Sequence, residues 1–352
     1  MDDIFAPLAL LPHALPRWFQ ENQRQLPWRQ DREPYHVWLS EIMLQQTRVE
    51  AVKGYYARFL QALPTIQALS EVPEPQLLKL WEGLGYYTRA RNLKKAAVVI
   101  MTEHHGVFPR SYAAIRALPG IGDYTAGAIS SICFEEKTPA VDGNVLRVAA
   151  RLCDYHGCTD DPKVKKAITS ALAEIYPHEA GNFTQALMEL GATVCLPNGA
   201  PRCEVCPVGP HCLARENGTI DDLPVRKPKK PRRQEDMTVF LLSCGSRVAL
   251  RKRPDTGLLA GLYEFPHLPG ILSAEETIKA AEDWGLSPDY LEKLVTRNHI
   301  FTHIQWNMTG ARLHCETANS EFIWVSREAV GRDYALPTAF RQFLPDFGEL
   351  KP

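Results

Sequence analysis

The residues best able to do chemistry are an aspartate behind a glycine hairpin, a glutamate on a helix face and a quartet of cysteines. The hairpin reads Leu118-Pro119-Gly120-Ile121-Gly122-Asp123-Tyr124-Thr125, with Asp142 twenty residues beyond Gly122. Two short helices meeting at Pro119-Gly120-Ile121-Gly122 leave backbone N–H groups pointing outward, because glycine permits the tight turn and nothing covers the amides. A phosphate can lie against such a surface. Asp142 stands just before the apolar-periodic run Val145, Leu146, Val148, Ala149, Leu152 and so heads a helix. Asp142-Gly143 could also be a hairpin turn, but both flanks have helical rather than alternating periodicity. An N-cap is the ordinary role of such an aspartate, and the same helix terminus favours its ionised form.

Glu41 shares a helix face with Leu44, Gln45 and Arg48 at i, i+3, i+4 and i+7. A glutamate in that position is ordinarily just solvated. Cys195, Cys203, Cys206 and Cys212 are separated by gaps of seven, two and five residues. Four thiolates with one close pair can hold zinc or a four-iron cluster, since both accept tetrahedral sulfur. Cys133, Cys153, Cys158, Cys244 and Cys315 show no ligand spacing and read as core or incidental.

These residues need elements to position them. A short amphipathic helix is expected over 11–25, ending at Leu26-Pro27-Trp28-Arg29, and Pro34 opens a long helical stretch over 35–63. Trp81-Glu82-Gly83-Leu84-Gly85-Tyr86-Tyr87-Thr88-Arg89 reads as a loop-to-helix junction whose aromatic rings and arginines suit insertion between bases and contact with phosphate. Two helices joined by the Pro119-Gly120-Ile121-Gly122 turn are placed at about 112–134, and further helices are expected over 163–175 and 182–194. In 221–236, Pro224, Pro228 and Pro231 interleave with Arg226, Lys227, Lys229, Lys230, Arg232 and Arg233, so an extended basic linker is expected there, neither helix nor central strand. From 237 onward the pattern is β-rich: a hairpin of 238–243 and 247–253 around Cys244-Gly245-Ser246, a helix over 275–284 and an alternating strand over 300–308.

Pro27-Trp28-Arg29 followed by Ser40-Glu41-Ile42-Met43-Leu44-Gln45-Gln46-Thr47, the Leu-Pro-Gly-Ile-Gly hairpin with Asp142, and Leu262-Tyr263-Glu264-Phe265-Pro266 together resemble the MutY-type adenine DNA glycosylases of the endonuclease III superfamily. The resemblance covers nearly the whole chain. It implies a multidomain protein: an all-α helix-hairpin-helix glycosylase domain over 1–220 with an iron-sulfur loop at 195–212, the linker at 221–236, and an α+β Nudix-like 8-oxoguanine recognition domain over 237–352.

The same resemblance implies site residues. Glu41 protonates the leaving base and Asp142 faces the sugar cation, with Asn144 and Tyr124 orienting that carboxylate. Trp28, Arg29 and Gln185 line the base pocket, Leu44 is a further DNA- or base-binding residue, and Gln46 and Tyr86 occupy the gap left in the duplex. Gly120 and Gly122 grip the backbone. Phe301-Thr302-His303 stands where the family has a Phe-Ser-His loop that reads 8-oxoguanine; the hydroxyl survives, and the added methyl restricts its rotamer. Cys195, Cys203, Cys206 and Cys212 hold a [4Fe-4S] cluster, although the family's first gap is six residues and here it is seven. Arg202, His211 and Arg215 give that loop a phosphate-facing surface. The partner implied is duplex DNA containing A:8-oxoguanine or A:G mispairs, bound by a monomer.

Composition agrees with such a protein. A chain of 352 residues exceeds one ordinary core, and 45% apolar residues is typical of globular domains. The formal net charge of −1 requires any DNA-binding surface to come from local clustering of Lys and Arg. No apolar run of membrane-spanning length occurs and the chain opens Met-Asp-Asp, so a bacterial cytoplasmic, nucleoid-associated location without membrane attachment is expected. Nine cysteines point to reduced thiols or metal ligands.

Three other activities remain to be weighed. An endonuclease III-like lyase acting on oxidised pyrimidines needs a lysine two residues after the second hairpin glycine, and Tyr124 stands there. A catalytically dead iron-sulfur DNA-binding module would not need Glu41 and Asp142 together. A nucleotide pyrophosphatase needs an acidic residue where the stretch 278–286 has Lys279.

Overall fold

The computed structural model describes residues 3–197, 199–228 and 230–348. By contact the chain forms two compact units, Met1–Glu71 with Asn92–Pro228, and Val72–Arg91 with Lys229–Pro352. The helices in chain order are α1 (Leu11–Asn22), α2 (Pro34–Leu44), α3 (Val49–Ala62), α4 (Ile66–Glu71), α5 (Glu74–Leu80), α6 (Thr88–Glu103), α7 (Tyr112–Ala117), α8 (Asp123–Phe134), α9 (Gly143–Leu152), α10 (Pro162–Ile175), α11 (Ala180–Thr193) and α12 (Leu213–Glu216). Among the described residues no helix is long and apolar enough to cross a membrane.

The first unit is helical. Leu11, Leu15 and Phe19 of α1 form an i, i+4, i+8 stripe that packs in one buried cluster with Val145, Val148 and Leu152 of α9 and Phe183, Leu187 and Leu190 of α11. Each such side chain stabilises the unit by about 1.5–3 kcal/mol through burial. α7 and α8 form the expected hairpin pair. Gly120 turns it with φ 77°, a left-handed conformation that suits glycine, and a Cβ there would lie 2.5 Å from the Asn92 Cβ. Ser111 caps α7 by accepting from the Ala114 N–H at 3.3 Å.

The continuous helix expected over 35–63 is interrupted. α2 ends at Leu44 and α3 starts at Val49, with Gln46 between them at φ 60°. Periodicity missed this break because apolar spacing continues across it while the backbone changes hand at one residue. Arg48 therefore lies beyond α2, as the N-cap of α3.

The second unit carries a mixed sheet of β1 (Arg233–Cys244), β2 (Arg247–Lys252), β3 (Tyr263–Glu264), β4 (His267–Pro269), β5 (Pro288–Ile300), β6 (Ile304–Cys315) and β7 (Ile323–Ser326). The main path runs β3-β2-β1-β6-β5, with β4 pairing β1 and β7 pairing β2. Its helices are α5 and, after β4, α13 (Ala274–Asp283), α14 (Arg327–Asp333) and α15 (Thr338–Arg341). β1 is buried on both faces: Val239 and Leu241 join Trp306, Met308, Phe340 and Phe343, whereas Phe240 and Leu242 join Ala281 and Leu313 on the other side. That two-sided burial explains why the strand reads as a continuous apolar run.

Two local expectations fail here. Arg233 to Asp236 are part of β1, paired parallel with residues 304–307 of β6, and so are not linker. Past Pro231 nothing prevents the backbone from entering the ladder, and the Arg233 N–H donates to the His303 carbonyl at 3.0 Å. The expected strand over 300–308 is two strands, with Phe301-Thr302-His303 as the turn between β5 and β6. The Phe301 N–H closes that turn onto the Ile304 carbonyl at 2.8 Å.

Candidate active site and thiol loop

The polar side chains singled out in the helical half converge on one cavity of about 610 Å³. Trp28, Arg29, Glu41, Leu44, Gln46, Tyr124, Asp142, Asn144 and Gln185 all line it. Each arrives on a different local device. Trp28 and Arg29 sit in a single 3-10 turn, Pro27–Arg29; Glu41 and Leu44 end α2; Gln46 occupies the left-handed break; Tyr124 opens α8; Gln185 faces inward from α11.

Asp142 is the N-cap of α9. Its Oδ1 accepts from the backbone N–H groups of Asn144 at 2.9 Å and Val145 at 2.8 Å, and its Oδ2 accepts from the Asn144 side-chain amide at 2.8 Å. The capping role and a place in the cavity thus coexist in one side chain. Asn144 is fixed in turn, because its Oδ1 accepts from Arg147 Nη2 at 2.9 Å. Gly191 of α11 lets α9 come close: a Cβ there would lie 2.7 Å from the Asn144 Cβ.

Glu41 is 7% exposed. Burial pushes its carboxyl up to about 7; the Tyr124 hydrogen bond opposes this, the Asp142 charge adds to it, and Arg29 pulls it down. The cavity therefore contains one carboxyl that holds a proton near neutral pH and another that accepts three hydrogen bonds. One can donate a proton; the other can stabilise a cation. The Tyr124 hydroxyl donates to Glu41 Oε2 at 2.8 Å, so it orients Glu41, whereas the sequence reading had it orient Asp142. Burial and the neighbouring carboxyls push the Tyr124 phenol well above its ordinary range, and it stays a hydroxyl donor.

Sequence reasoning missed Arg24, Met188 and Glu189, which also line the cavity, whereas Arg48, grouped with Glu41 from its spacing, lines it as well. Glu189 follows Gln185 by one helical turn, and its carboxylate interrupts an otherwise apolar stretch of α11; that was the available signal. Arg147 and Arg151, one turn apart on α9, were missed as well. Both are buried: Arg147 Nε donates to the Cys195 carbonyl at 2.8 Å, and Arg151 Nη1 reaches Cys195 Sγ at 3.4 Å and the Leu196 carbonyl at 2.8 Å. The helix that Asp142 caps is thereby tied to the cysteine loop.

Cys195, Cys203, Cys206 and Cys212 line a second, small cavity of about 30 Å³ with Arg151, Val194, Pro201, Gly209 and Ile220. Among the described residues no group of three or more ligands converges on a single ion. A four-iron cluster asks for something different from zinc, since each thiolate binds its own iron and the sulfurs stand apart around a common space. Four thiols around one cavity, with arginines nearby to balance thiolate charge, fit that donor set.

Gly120 and Gly122 lie at the exposed hairpin turn of the helical unit, outside the cavity. Within the other unit, Tyr86 is 48% exposed at φ 48°. Arg89 stacks beneath its ring at 5.6 Å and donates to the carbonyls of Leu84 at 3.0 Å and Gly85 at 3.1 Å, which fixes the loop from below. The Tyr86 and Thr302 hydroxyls share a 2.5 Å hydrogen bond. Phe301 packs edge-on against His299 and Trp306, while Thr302 and His303 are exposed at the tip of the turn.

Residues 39–174 match the HhH-GPD superfamily of base excision DNA repair proteins, and residues 238–346 match a NUDIX domain. The chain is 37% identical to the adenine DNA glycosylase of Arabidopsis thaliana over 82% of its own length, and spans 54% of that protein. Similarity to the adenine DNA glycosylase of Homo sapiens is 35%, covering 86% of this chain and 67% of the human protein. For that of Schizosaccharomyces pombe the figures are 33%, 89% and 84%. Among solved structures, a thermostable thymine-DNA glycosylase aligns with a TM-score of 0.54 at 27% identity, covering 60% of this chain and 97% of the other. A trapped endonuclease III–DNA covalent intermediate aligns with a TM-score of 0.52 at 23% identity over 62% of this chain and 99% of the other, and shares its helical fold.

Proposed function

This chain belongs to the adenine DNA glycosylases of the HhH-GPD base excision repair superfamily, and from that premise we propose that it hydrolyses the N-glycosidic bond of adenine mispaired with 8-oxoguanine or guanine in duplex DNA. The observation that carries this reading is the placement of Glu41 and Asp142 in one cavity, one protonated near neutrality and the other an N-cap that accepts three hydrogen bonds.

The adenosine leaves the stack and enters the cavity at a cost of about a few kcal/mol. Trp28, Arg29, Leu44 and Gln185 hold the base, and Gln46 stands at the cavity wall. Glu41 gives its proton to adenine N7, so the base departs as a neutral molecule when the C1′–N9 bond breaks. Asp142 stabilises the oxocarbenium-like sugar, or bonds to it briefly, until water adds its hydroxyl at C1′, gives its proton to the Glu41 carboxylate and leaves an abasic site. Asn144 keeps Asp142 in place, and Tyr124 keeps Glu41 in place. The hairpin at Gly120 and Gly122 offers its outward N–H groups to the DNA backbone.

Cys195, Cys203, Cys206 and Cys212 would hold a [4Fe-4S] cluster, which supplies a rigid fixing point for the loop and no open site for hydrolysis. Arg147 and Arg151 connect that loop to the helix carrying Asp142. Tyr86 acts as the intercalating wedge, and in the Nudix-like domain Phe301-Thr302-His303 reads 8-oxoguanine. Oxidation turns guanine N7 into a donor and adds an oxygen at C8, so a hydroxyl beside the base edge distinguishes the two. The protein is taken to act as a monomer in a bacterial cytoplasm.

Base removal is monofunctional in this reading. Among the described residues no lysine lines the cavity, and Tyr124 occupies the lyase position with its hydroxyl committed to Glu41. Single-turnover assays on duplexes carrying A opposite 8-oxoguanine, G and T, with and without an alkali step, test the proposal. Alkali-dependent strand breaks at A opposite 8-oxoguanine and G are expected. Efficient borohydride trapping of a covalent product, or no adenine release, would overturn it.

A further inference from the structure

Glu189 has a fully buried side chain on α11. A carboxylate removed from water is costly unless every lone pair finds a donor. Here its Oε1 accepts from Arg24 Nε at 2.7 Å and from the Arg24 backbone N–H at 3.0 Å. Its Oε2 accepts from Arg24 Nη2 at 3.0 Å and from Arg29 Nη2 at 2.8 Å. Arg29 is held on two further sides: its Nη1 donates to the Arg24 carbonyl at 3.2 Å, and its guanidinium lies 5.4 Å from the centre of the Phe19 ring. Glu189, Arg24 and Arg29 all line the cavity that contains Glu41 and Asp142.

We propose that Glu189 is a positioning residue of the adenine pocket, whose buried carboxylate pins Arg24 and Arg29 to the cavity wall and neutralises them there. The inference rests on the base-release reading above. Two unpaired guanidinium groups in a pocket for a neutral purine would do two kinds of damage. Their side chains would be free to swing into the space the base must fill. Their charge would also favour the ionised form of Glu41, the residue that has to deliver a proton.

The electrostatics follow from the groups around the pocket. Glu41 faces Tyr124 from α8, Asp142 from the head of α9 and Arg29 from the turn before α2, and Arg29 draws its carboxyl downward. Arg24 faces Glu189 and feels Glu50 of α3, and Arg48 lines the cavity at the break between α2 and α3. Burial opposes ionisation of Glu189 itself, but hydrogen bonds from Arg24 and Arg29 outweigh it and keep the carboxyl below its ordinary range. Its negative charge therefore persists while Glu41 titrates.

The test uses the full chain with single-turnover adenine release on an A:8-oxoguanine duplex across pH 5.5–9, alongside duplex binding and thermal melts, for the wild type, Glu189→Gln and Glu189→Asp. Glu189→Gln is expected to lower the rate by about ten- to a hundred-fold, and to move the alkaline limb of its pH profile to lower pH. Glu189→Asp keeps the charge and shortens the reach, so it should restore the limb and recover only part of the rate. A folded Glu189→Gln with the wild-type rate and limb overturns the positioning role. So does a rate loss with an unmoved limb, which is what a purely structural contact would give. If Glu189→Gln does not fold, Glu189→Asp decides, since wild-type kinetics from it would also overturn the proposal. A wild type that releases no adenine defeats the base-release reading first, and the two failures are thereby told apart.

Discussion

The Tyr124 hydroxyl donates a 2.8 Å hydrogen bond to Oε2 of Glu41, inside a cavity that Asp142 also lines. This bond favours the carboxylate, yet burial outweighs it and the carboxyl rises to about 7. Tyr124 therefore holds the Glu41 carboxyl in place without stripping it of its proton. The neighbouring negative charge of Asp142 works in the same direction as burial, so the two carboxyls divide their labour through their surroundings.

Base release should be fastest below neutrality and fall as pH rises through about 7, because Glu41 must be protonated to act. Glu41→Gln should lose about 10²-fold or more at every pH. Single-turnover rates that stay flat between pH 6 and 8 in the wild type would remove Glu41 from the acid role.

The same titration bears on stability. The folded state binds the Glu41 proton more tightly than the unfolded chain does, so this contribution is complete below the ordinary value of 4.5 and is lost as pH rises through about 7. Glu41→Gln lacks that penalty. Relative to the wild type it should gain stability between pH 5 and 8, by up to about 3 kcal/mol. Urea unfolding at the two pH values measures the difference; an equal effect at both contradicts it.

Asp142→Asn separates capping from chemistry. Asparagine keeps the backbone cap through its one oxygen but loses the hydrogen bond from the Asn144 side chain, so stability should fall by only about 1 kcal/mol. The cation-stabilising charge is gone, and base release should fall by about 10³-fold with duplex binding retained. Wild-type turnover from this variant would be incompatible with the assigned role.

Gly191→Ala attacks the same carboxylate from behind. The added methyl would lie 2.7 Å from the Asn144 Cβ, so Asn144 must shift and Asp142 loses its side-chain donor. A fall of about ten-fold or more in single-turnover rate is expected, with binding affected less. Equal rates for the variant and the wild type would show that Asn144 does not hold Asp142 in its working position.

Tyr86 and Thr302 share one 2.5 Å hydrogen bond, so their variants should not be additive. Thr302→Ala should weaken the preference for 8-oxoguanine over guanine opposite adenine. Tyr86→Phe keeps the ring and removes one partner of the bond, a change of about 1 kcal/mol or roughly five-fold in discrimination. Adding Tyr86→Phe to Thr302→Ala should then change discrimination little further; full additivity argues against coupling through these hydroxyls.

Much of the helical half was legible in the sequence because its signals are local. Glycines at a tight turn, an aspartate heading an apolar-periodic run and a close pair of cysteines each act within a few residues, and the hairpin, the cap at Asp142 and most helix limits follow from them. The failures are also local in cause. One left-handed residue, Gln46, divides a helix whose apolar spacing runs on, and a three-residue turn at Phe301-Thr302-His303 hides inside an alternating pattern.

Tertiary structure alone decided which side chains meet. Glu41 and Tyr124 are 83 residues apart, and Glu189 is 165 residues from Arg24. No periodicity reports a contact of that separation, since residue spacing fixes the face a side chain occupies but not the element opposite it. For the same reason the resemblance could nominate Glu41 as an acid but could not supply the burial that raises its carboxyl to about 7. That burial arises only when α2, α8, α9 and α11 close around the cavity and exclude water from the carboxyl.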